Sequence, residues 1–564
     1  MGDSLTEPVR EGPERPPASN GRLGPGNTPS GSPSSWPEVV NLTKRAAILA
    51  LVGVLLGILM GALDNLVVLT AIGNIARDLN ASNGVPFVVS SYLIAGTVAT
   101  PIFGKLSDHY SRRNFFILGQ AIFIAGSLLA AQSKTLNELI VFRAIQGFGS
   151  GAFFPIGLSI IAVIFDPQTR AKLTAAMSSV FGIAMVVGPV VGAYIVTSLS
   201  WQWIFYVNLP IGILSILVMV TSVDALRPKL RKKFDTIGSV LLAGWVTPFM
   251  LALVQNADSR WAWSDPRILG LMAAFIAVFV LFVVWELRTD EPVVPLRFFA
   301  KKLVAASAGV TFLRGVTFVA VSTFATILVV FVLGGTPDQV RDALYFFVVP
   351  MIVGATAGGQ LMRKLPYRAI TVPGMALMTF GALLLANLDT NMTLWPIRGA
   401  QGLSDNLAFD LIPIGLGVGL TFATTALSVQ FAVPSKDIGA ATSLITFLQN
   451  LGGAVGVSVL FSYEQFRYSG PPVPSAPSGV YCPLPPTANP PPPAACFPYY
   501  NALSALRVPT AHAYIDTFQL AFVLALLALI FAFFMVGRMP QGKPTESLGA
   551  APTEAPAPSA TGAL

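Results

Sequence analysis

The sequence predicts an all-α polytopic membrane protein, and three observations carry that prediction. Of 564 residues, 54% are apolar and only 11% charged, against about 25% charged in ordinary soluble domains. Mean hydropathy over the whole chain is +0.68, so the apolar residues are not confined to a single anchor. They fall in runs long enough to cross roughly 30 Å of hydrocarbon, which takes about 20 helical residues, and charged or Pro/Gly-rich breaks separate the runs. The formal charge of +8 is accounted for by basic loops rather than by nucleic-acid binding.

Taken in order, residues 1–44 are rich in Pro, Gly and Ser and lack an apolar core. They read as a disordered tail without a cleavable signal peptide, the first span then serving as the insertion signal. About 14 spans follow. The first six are 46–75, 85–103, 115–131, 136–164, 170–198 and 203–226. The first carries no charged residue except Asp64, and the fourth carries Arg143 well inside it. Basic clusters bound the others, such as Arg112-Arg113, Arg170 with Lys172, and the run after Leu226. A middle pair occupies 236–255 and 268–287, and the last six are 303–333, 339–362, 370–388, 409–433, 439–463 and 511–537. Residues 538–564 are read as a second disordered tail, in the cytoplasm.

Orientation follows from the basic loops. With the N-terminus in the cytoplasm, the inner loops hold Lys105, Arg112 and Arg113, then Arg170 and Lys172, then Arg227 to Lys233, and later Arg363, Lys364 and Arg368. The outer loops hold few, such as Arg77, Lys134, Arg260 and Arg341. This is the positive-inside pattern, and an even number of spans places both termini in the cytoplasm of a multi-pass plasma-membrane protein. The last outer loop, 468–509, is Pro-rich and contains both cysteines, Cys482 and Cys496. On the oxidising side they are read as a disulfide, with two free thiols as the alternative. The loop is read as a semi-rigid cap on the outer mouth or a contact for an envelope partner.

Asp64 is the most informative residue. A carboxylate in the middle of a span costs several kcal/mol unless it faces a partner or a cavity, and such residues are by default proton or ion sites. Arg143 is a second intramembrane charge, which favours the ionised form of a nearby carboxylate. The two are the expected proton-coupling pair; a purely structural salt bridge is the other reading.

Several motifs add to this. Gly104-Lys105-Leu106-Ser107-Asp108-His109-Tyr110-Ser111-Arg112-Arg113 follows the second span. It resembles motif A of the major facilitator superfamily, G-x-L-x-D-x-x-G-R-R, with Ser111 in place of the second glycine. Leu139 to Gly149, centred on Arg143, resembles motif B. Gly182-Ile183-Ala184-Met185-Val186-Val187-Gly188-Pro189-Val190-Val191-Gly192-Ala193 resembles motif C of the superfamily's antiporters. Its small residues allow close helix packing and its proline weakens the backbone ladder. Trp201 to Gly212 and Gln449 to Gly456 resemble signatures of the 14-helix drug:proton antiporter branch (QacA/EmrB-like), each lacking the branch's arginine. The segment Leu63 to Gly73 is similar to that branch around Asp64, and its ending is closer to mycobacterial exporters tied to lipid export. A faint second motif A, Gly359-Gln360-Leu361-Met362-Arg363-Lys364, suggests two related halves.

The resemblance implies a major facilitator fold of two six-helix bundles plus two extra central helices. The bundles are 45–226 and 302–537, joined by a linker 227–301 that holds the extra pair. It implies a proton-coupled antiporter that exports lipophilic or cationic drug-like compounds by alternating access. Asp64 and Arg143 would couple protons. Gly104, Asp108, Arg112 and Arg113 would latch the inner gate, and Gly182, Gly188, Pro189 and Gly192 would form the antiporter hinge. Gln146, Phe153, Phe154 and Arg314 are expected along the substrate cavity. Arg314 is read as a site for anionic groups, as the partner of a distant carboxylate, or as a side chain snorkelling to the inner surface; Asp410 and Glu464 are secondary proton-site candidates. Export of a membrane lipid is the alternative within transport, and a non-transporting receptor or scaffold the alternative outside it. No phosphate-binding G-x-x-x-x-G-K-[ST] loop, metal-ligand cluster or nucleophile elbow occurs, so neither an enzyme nor a bound cofactor is expected. The energy source would be the proton gradient, and the partners small lipophilic molecules or lipid, protons and the membrane itself.

Overall fold

The computed structural model describes residues 43–79, 86–222, 234–257, 262–329, 337–388, 407–434, 437–467 and 507–539, and every regular element among them is helical. The N-terminal tail, the basic run 227–233 and the Pro-rich loop with Cys482 and Cys496 lie outside the described residues. Helices are the expected outcome, because a lone strand in hydrocarbon would leave its backbone groups unsatisfied. In order they are α1 (Lys44–Asp78), α2 (Pro86–His109), α3 (Arg112–Ala131), α4 (Leu136–Ser150), α5 (Phe153–Ile164), α6 (Pro167–Ser198), α7 (Trp203–Tyr206) and α8 (Asn208–Ser222). There follow α9 (Thr236–Ala257), α10 (Pro266–Arg288), α11 (Lys302–Ile327), α12 (Pro337–Leu361), α13 (Tyr367–Ala386), α14 (Leu407–Ala432), α15 (Ile438–Arg467) and α16 (Arg507–Phe533). Counting α4 with α5 and α7 with α8, thirteen spans among the described residues are long and apolar enough to cross a membrane. The 32-residue α6 is a further long helix, packed against α1 and α12.

Local chemistry sets several helix starts. The Ser111 hydroxyl accepts from the Asn114 N–H at 3.3 Å and opens α3. Thr135 accepts from the Glu138 N–H at 3.2 Å while the Glu138 carboxylate accepts from the Lys134 N–H at 2.8 Å, two mutually supporting bonds that begin α4. Asp265 caps α10 just ahead of Pro266.

Two predicted spans are interrupted. The stretch 136–164 divides at Gly151 and Ala152 into α4 and α5. Pro155 has no N–H to give the Gly151 carbonyl and its ring crowds that position, so the ladder loses a bond at the point where the chain turns from α4 into α5. The glycines before the break serve close packing instead. A Cβ on Gly149 would stand 2.5 Å from the Phe123 backbone nitrogen of α3, and one on Gly151 would stand 2.8 Å from the Gly96 carbonyl. Likewise Pro210 cannot donate to Tyr206, and 203–226 becomes the short α7 followed by α8.

Helices α1 to α8 form one group, with α1 against α6 and α8 and α4 seated between α2 and α3. Helices α11 to α16 form the second, where α14 packs on α12 and α13, and α16 on α11 and α13. The groups meet through α2 and α5 on α15 and through α6 on α12. Helices α9 and α10 make a hairpin whose α9 side rests on α2 and α15. Trp245 anchors it, with its ring edge-on to Phe447 of α15 at 6.0 Å. The first group's core divides on either side of Asp64. One cluster holds Ile58, Phe116, Phe123 and Phe153, the other Val67, Val68, Leu139, Trp201 and Phe205. The aromatic stretch from Trp201 is expected at the membrane interface; only Trp203 is exposed, while Trp201 and Phe205 are buried core. Their rings are wanted to fill the space beside α1, a demand that outweighs interface preference.

Candidate functional site

Asp64 lies in the middle of α1, buried at 1% exposure, and four helices converge on it. Its Oδ2 accepts from Arg143 Nη1 of α4 at 2.5 Å. Its Oδ1 accepts from Gln146 Nε2 at 2.8 Å and from Asn208 Nδ2, at the start of α8, at 2.7 Å. Asn208 also donates to Ser127 Oγ of α3 at 3.0 Å, and Ser127 donates to the Phe205 carbonyl at 2.9 Å. Arg143 and Gln146 are three residues apart on α4, so both side chains leave one helix face. Nη1 of Arg143 also donates to Gln146 Oε1 at 2.8 Å, and its Nε donates to the Val88 carbonyl at 3.2 Å. The guanidinium lies 4.2 Å from the Tyr92 ring centroid, a cation–π contact within its ordinary range. Its Nη2 has no hydrogen-bond partner among the described residues. This is a desolvated ion pair with almost all of its bonding capacity used. Such a pair is destabilised strongly when one partner loses its charge, and bonds from α4 and α8 meet on this one carboxylate of α1.

Asn208, Ser127 and Tyr92 belong to this cluster and are absent from the sequence-level candidates. Asn208 had a signal: an amide in an apolar run two residues before a proline. Ser127 and Tyr92 had none.

The motif A residues gather where α2 meets α15. The Asp108 carboxylate accepts from the backbone N–H groups of Gly439 at 3.0 Å and Ala440 at 2.8 Å, in the first turn of α15. An anion there interacts favourably with the helix dipole and its free N–H groups. Arg112 Nη2 pairs with Asp108 at 3.0 Å, and its Nε donates to Ser159 of α5 at 2.7 Å. Gly104 faces α15 so closely that a Cβ would collide with Ser443 and stand 2.9 Å from the Gly439 carbonyl. Arg113 stands apart, donating to the Val220 carbonyl at 3.5 Å. Lys105, 2% exposed, pairs with Glu291 beyond α10 at 3.1 Å and ties the extra hairpin to the same corner. The second motif A copy repeats the approach, since a Cβ on Gly359 would stand 2.7 Å from the Ala171 carbonyl of α6.

Motif C lies on α6, which is unbroken from Pro167 to Ser198 and therefore through Pro189. Gly188 and Gly192 are buried, and a Cβ on Gly182 would come within 2.8 Å of Ile352 on α12. The expected cavity residues separate. Gln146 is fully buried as a ligand of Asp64 and Arg143, and Phe153 is core, packed between Phe116 and Phe123. Phe154, one residue on and turned about 100° around the helix, meets Phe422 of α14 edge-on at 5.6 Å. Phe422 lies 5.1 Å from the Arg314 guanidinium. Arg314 is 1% exposed, so the snorkelling alternative is overturned: its partners Gln449, Thr425 and Thr421 hold the head inside the bundle. Asp410 is enclosed in the first turn of α14 and Glu464 lies near the end of α15.

Three kinds of likeness agree with this geometry. A family model described as Major Facilitator Superfamily matches residues 54–457. Multidrug resistance protein 3 of Bacillus subtilis (strain 168) is 33% identical, over 72% of this chain and 77% of its own length. Multidrug transporter protein MdtP of the same organism is 29% identical over 73% of this chain and 74% of its own. An uncharacterised MFS-type transporter of Mycobacterium tuberculosis (strain ATCC 25618 / H37Rv) is 28% identical over 78% of this chain and 62% of its own. Among solved structures, the proton:xylose symporter XylE superposes with a TM-score of 0.57 at 14% identity, covering 87% of this chain and 96% of that one. At that identity the likeness concerns the fold. With two helix groups joined at α2–α15 and α6–α12, a buried Asp64–Arg143 pair and a motif A latch, the chain belongs to the Major Facilitator Superfamily.

Proposed function

We propose that this transporter is a proton-coupled antiporter of the 14-helix type, which exports lipophilic and cationic drug-like compounds by alternating access. Both termini face the cytoplasm of the plasma membrane, and α9 and α10 are the extra pair between two six-helix bundles. The observation that carries the reading is the buried Asp64–Arg143 pair, with Gln146 and Asn208 completing the carboxylate's shell. Proton uptake at Asp64 neutralises one half of the pair and weakens the bond to Arg143. Arg143 then relies on Gln146, the Val88 carbonyl and the Tyr92 ring. The bonds joining α1, α4 and α8 are redistributed, and the balance between two packings of the bundles shifts. The Asp108 latch on α15 is the contact that must open when the end of the bundle carrying motif A opens. The relatives named as multidrug transporters support the substrate class. Substrate energy comes from the proton gradient, and no cofactor takes part.

The test is reconstitution of the wild type in liposomes with an internal pH dye, followed by addition of ethidium. Substrate-dependent proton flux that collapses with an uncoupler is expected. Ethidium transport indifferent to the proton gradient sinks the coupling. Export of a membrane lipid is the second reading, favoured by one observation: the buried cation Arg314 in the second bundle, which a lipophilic cation does not need.

A further inference from the structure

Arg314 is the second large charge buried in the membrane region, and its surroundings differ from those of Arg143. Its Nη2 donates to Gln449 Oε1 at 2.7 Å, and its Nη1 donates to the Thr425 and Thr421 hydroxyls at 3.2 and 3.4 Å. All three acceptors are neutral. Among the described residues no carboxylate pairs with Arg314, and its buried Nε has no hydrogen-bond partner. Both threonines already donate to carbonyls of their own helix, Thr421 to Gly417 and Thr425 to Thr421. An ionised group taken out of water and left without a countercharge is costly, and proteins rarely keep one that has no use. The position adds to this. Phe422 lies against the guanidinium, and Phe154 of the first bundle touches Phe422 edge-on, so the cation sits behind an aromatic contact between the two bundles. A charged head and an apolar wall side by side match a molecule with an anionic end and a lipophilic body.

We infer that Arg314, with Gln449 and Thr425, is a headgroup site for an anionic amphiphile, a carboxylate or a phosphate monoester on an apolar tail that packs on Phe154 and Phe422. The anion takes the free Nε and displaces the Gln449 amide from Nη2, giving the guanidinium the two-pronged contact that its geometry favours. This rests on the chain being a transporter of lipophilic molecules and names a class that the second bundle would hold.

The test uses full-length protein in nanodiscs and two matched probes, 11-(dansylamino)undecanoic acid and its primary amide, read by dansyl fluorescence. The wild type is expected to bind the acid about tenfold or more tightly than the amide, the gain of one charge-assisted contact. Arg314→Gln should erase that preference, and Arg314→Lys should keep part of it. Equal binding of acid and amide by the wild type, which needs no variant to fold, overturns the proposal. So does a preference that survives in a folded Arg314→Gln protein. Competition then separates the sources. Displacement by lysophosphatidic acid alone points to a membrane lipid, displacement also by a water-soluble aromatic carboxylate points to drug-like anions, and displacement by neither overturns the site. Ethidium-driven proton flux in the same preparation reports separately on the antiporter reading: flux without acid preference sinks only the anion site, and acid preference without flux sinks only the antiport.

Discussion

Replacing Asp64 by Asn keeps the shape of the side chain and removes its charge, so the consequences follow from bonding alone. In the wild type both oxygens accept: Oδ2 from Arg143, Oδ1 from Gln146 and Asn208. Asparagine has one acceptor oxygen and one NH2. If the NH2 takes the Oδ2 position it faces the Arg143 Nη1 donor. If the amide turns over, the NH2 faces two amide donors. Either way a donor meets a donor, and Arg143, 0% exposed, loses its countercharge. Removing one partner of a buried pair costs about 3–5 kcal/mol, a large share of the roughly 5–15 kcal/mol that separates folded from unfolded in ordinary domains. The melting temperature of the purified Asp64→Asn protein should therefore fall by several degrees, and substrate-dependent proton flux in liposomes should vanish. Adding Arg143→Gln removes the uncompensated cation and should recover a good part of the stability while flux stays absent. The coupling energy from that double-mutant cycle is expected at or above the roughly 0.5–3 kcal/mol usual for contacting residues. An Asp64→Asn protein with wild-type flux and an unchanged melt would refute both the coupling role and the bonding argument.

Asn208→Ala strips one donor from Asp64 and the donor that Ser127 Oγ accepts from; a loss of about 1–3 kcal/mol is expected, with ethidium transport lowered but still driven by protons. Asp108→Asn weakens the anion on the first turn of α15, an interaction worth about 0.3–2 kcal/mol. The distance between spin labels on α2 and α15 should broaden toward longer values, and an unchanged distribution would remove Asp108 from the latch. For Gly104→Val, the added side chain has no room against Ser443 and the Gly439 carbonyl; transport should fall below detection while expression persists. Glu291→Gln frees the buried Lys105 from the hairpin. Because Lys105 is buried while Glu291 is partly exposed, the loss is expected to lie below the about 3–5 kcal/mol of a fully buried pair, and the α2–α15 corner is expected to open more readily.

How far the sequence could be read depended on how local each feature is. Span positions depend on apolar length, and α1, α2, α10 and α13 begin within a few residues of their expected starts. The interruptions at Gly151 and before Pro210 were carried by visible prolines but masked by the continuous hydropathy around them. Motif A was recognisable as a pattern, yet the target of Asp108, the first turn of a helix 331 residues away, was not. Gln146 and Phe153 show where helical spacing stops being informative. Helical spacing from Arg143 puts them on useful faces, but which face meets a cavity and which meets the core depends on neighbouring helices that the spacing does not contain.

The sequence by itself determined that the chain lives in a membrane, roughly where it crosses, and which intramembrane charges need an explanation, because hydropathy and the cost of burying charge act on each segment separately. Only the tertiary structure decided which charges meet. It joined Asp64 to Arg143 across 79 residues and to Asn208 across 144, and it left Arg314 among neutral acceptors in the other bundle. The physical reason is that hydrogen bonds and ion pairs reach only about 3 Å. The rotation and approach of whole helices, set by small residues such as Gly104, Gly126 and Gly151 at their crossings, decide which side chains come within that reach.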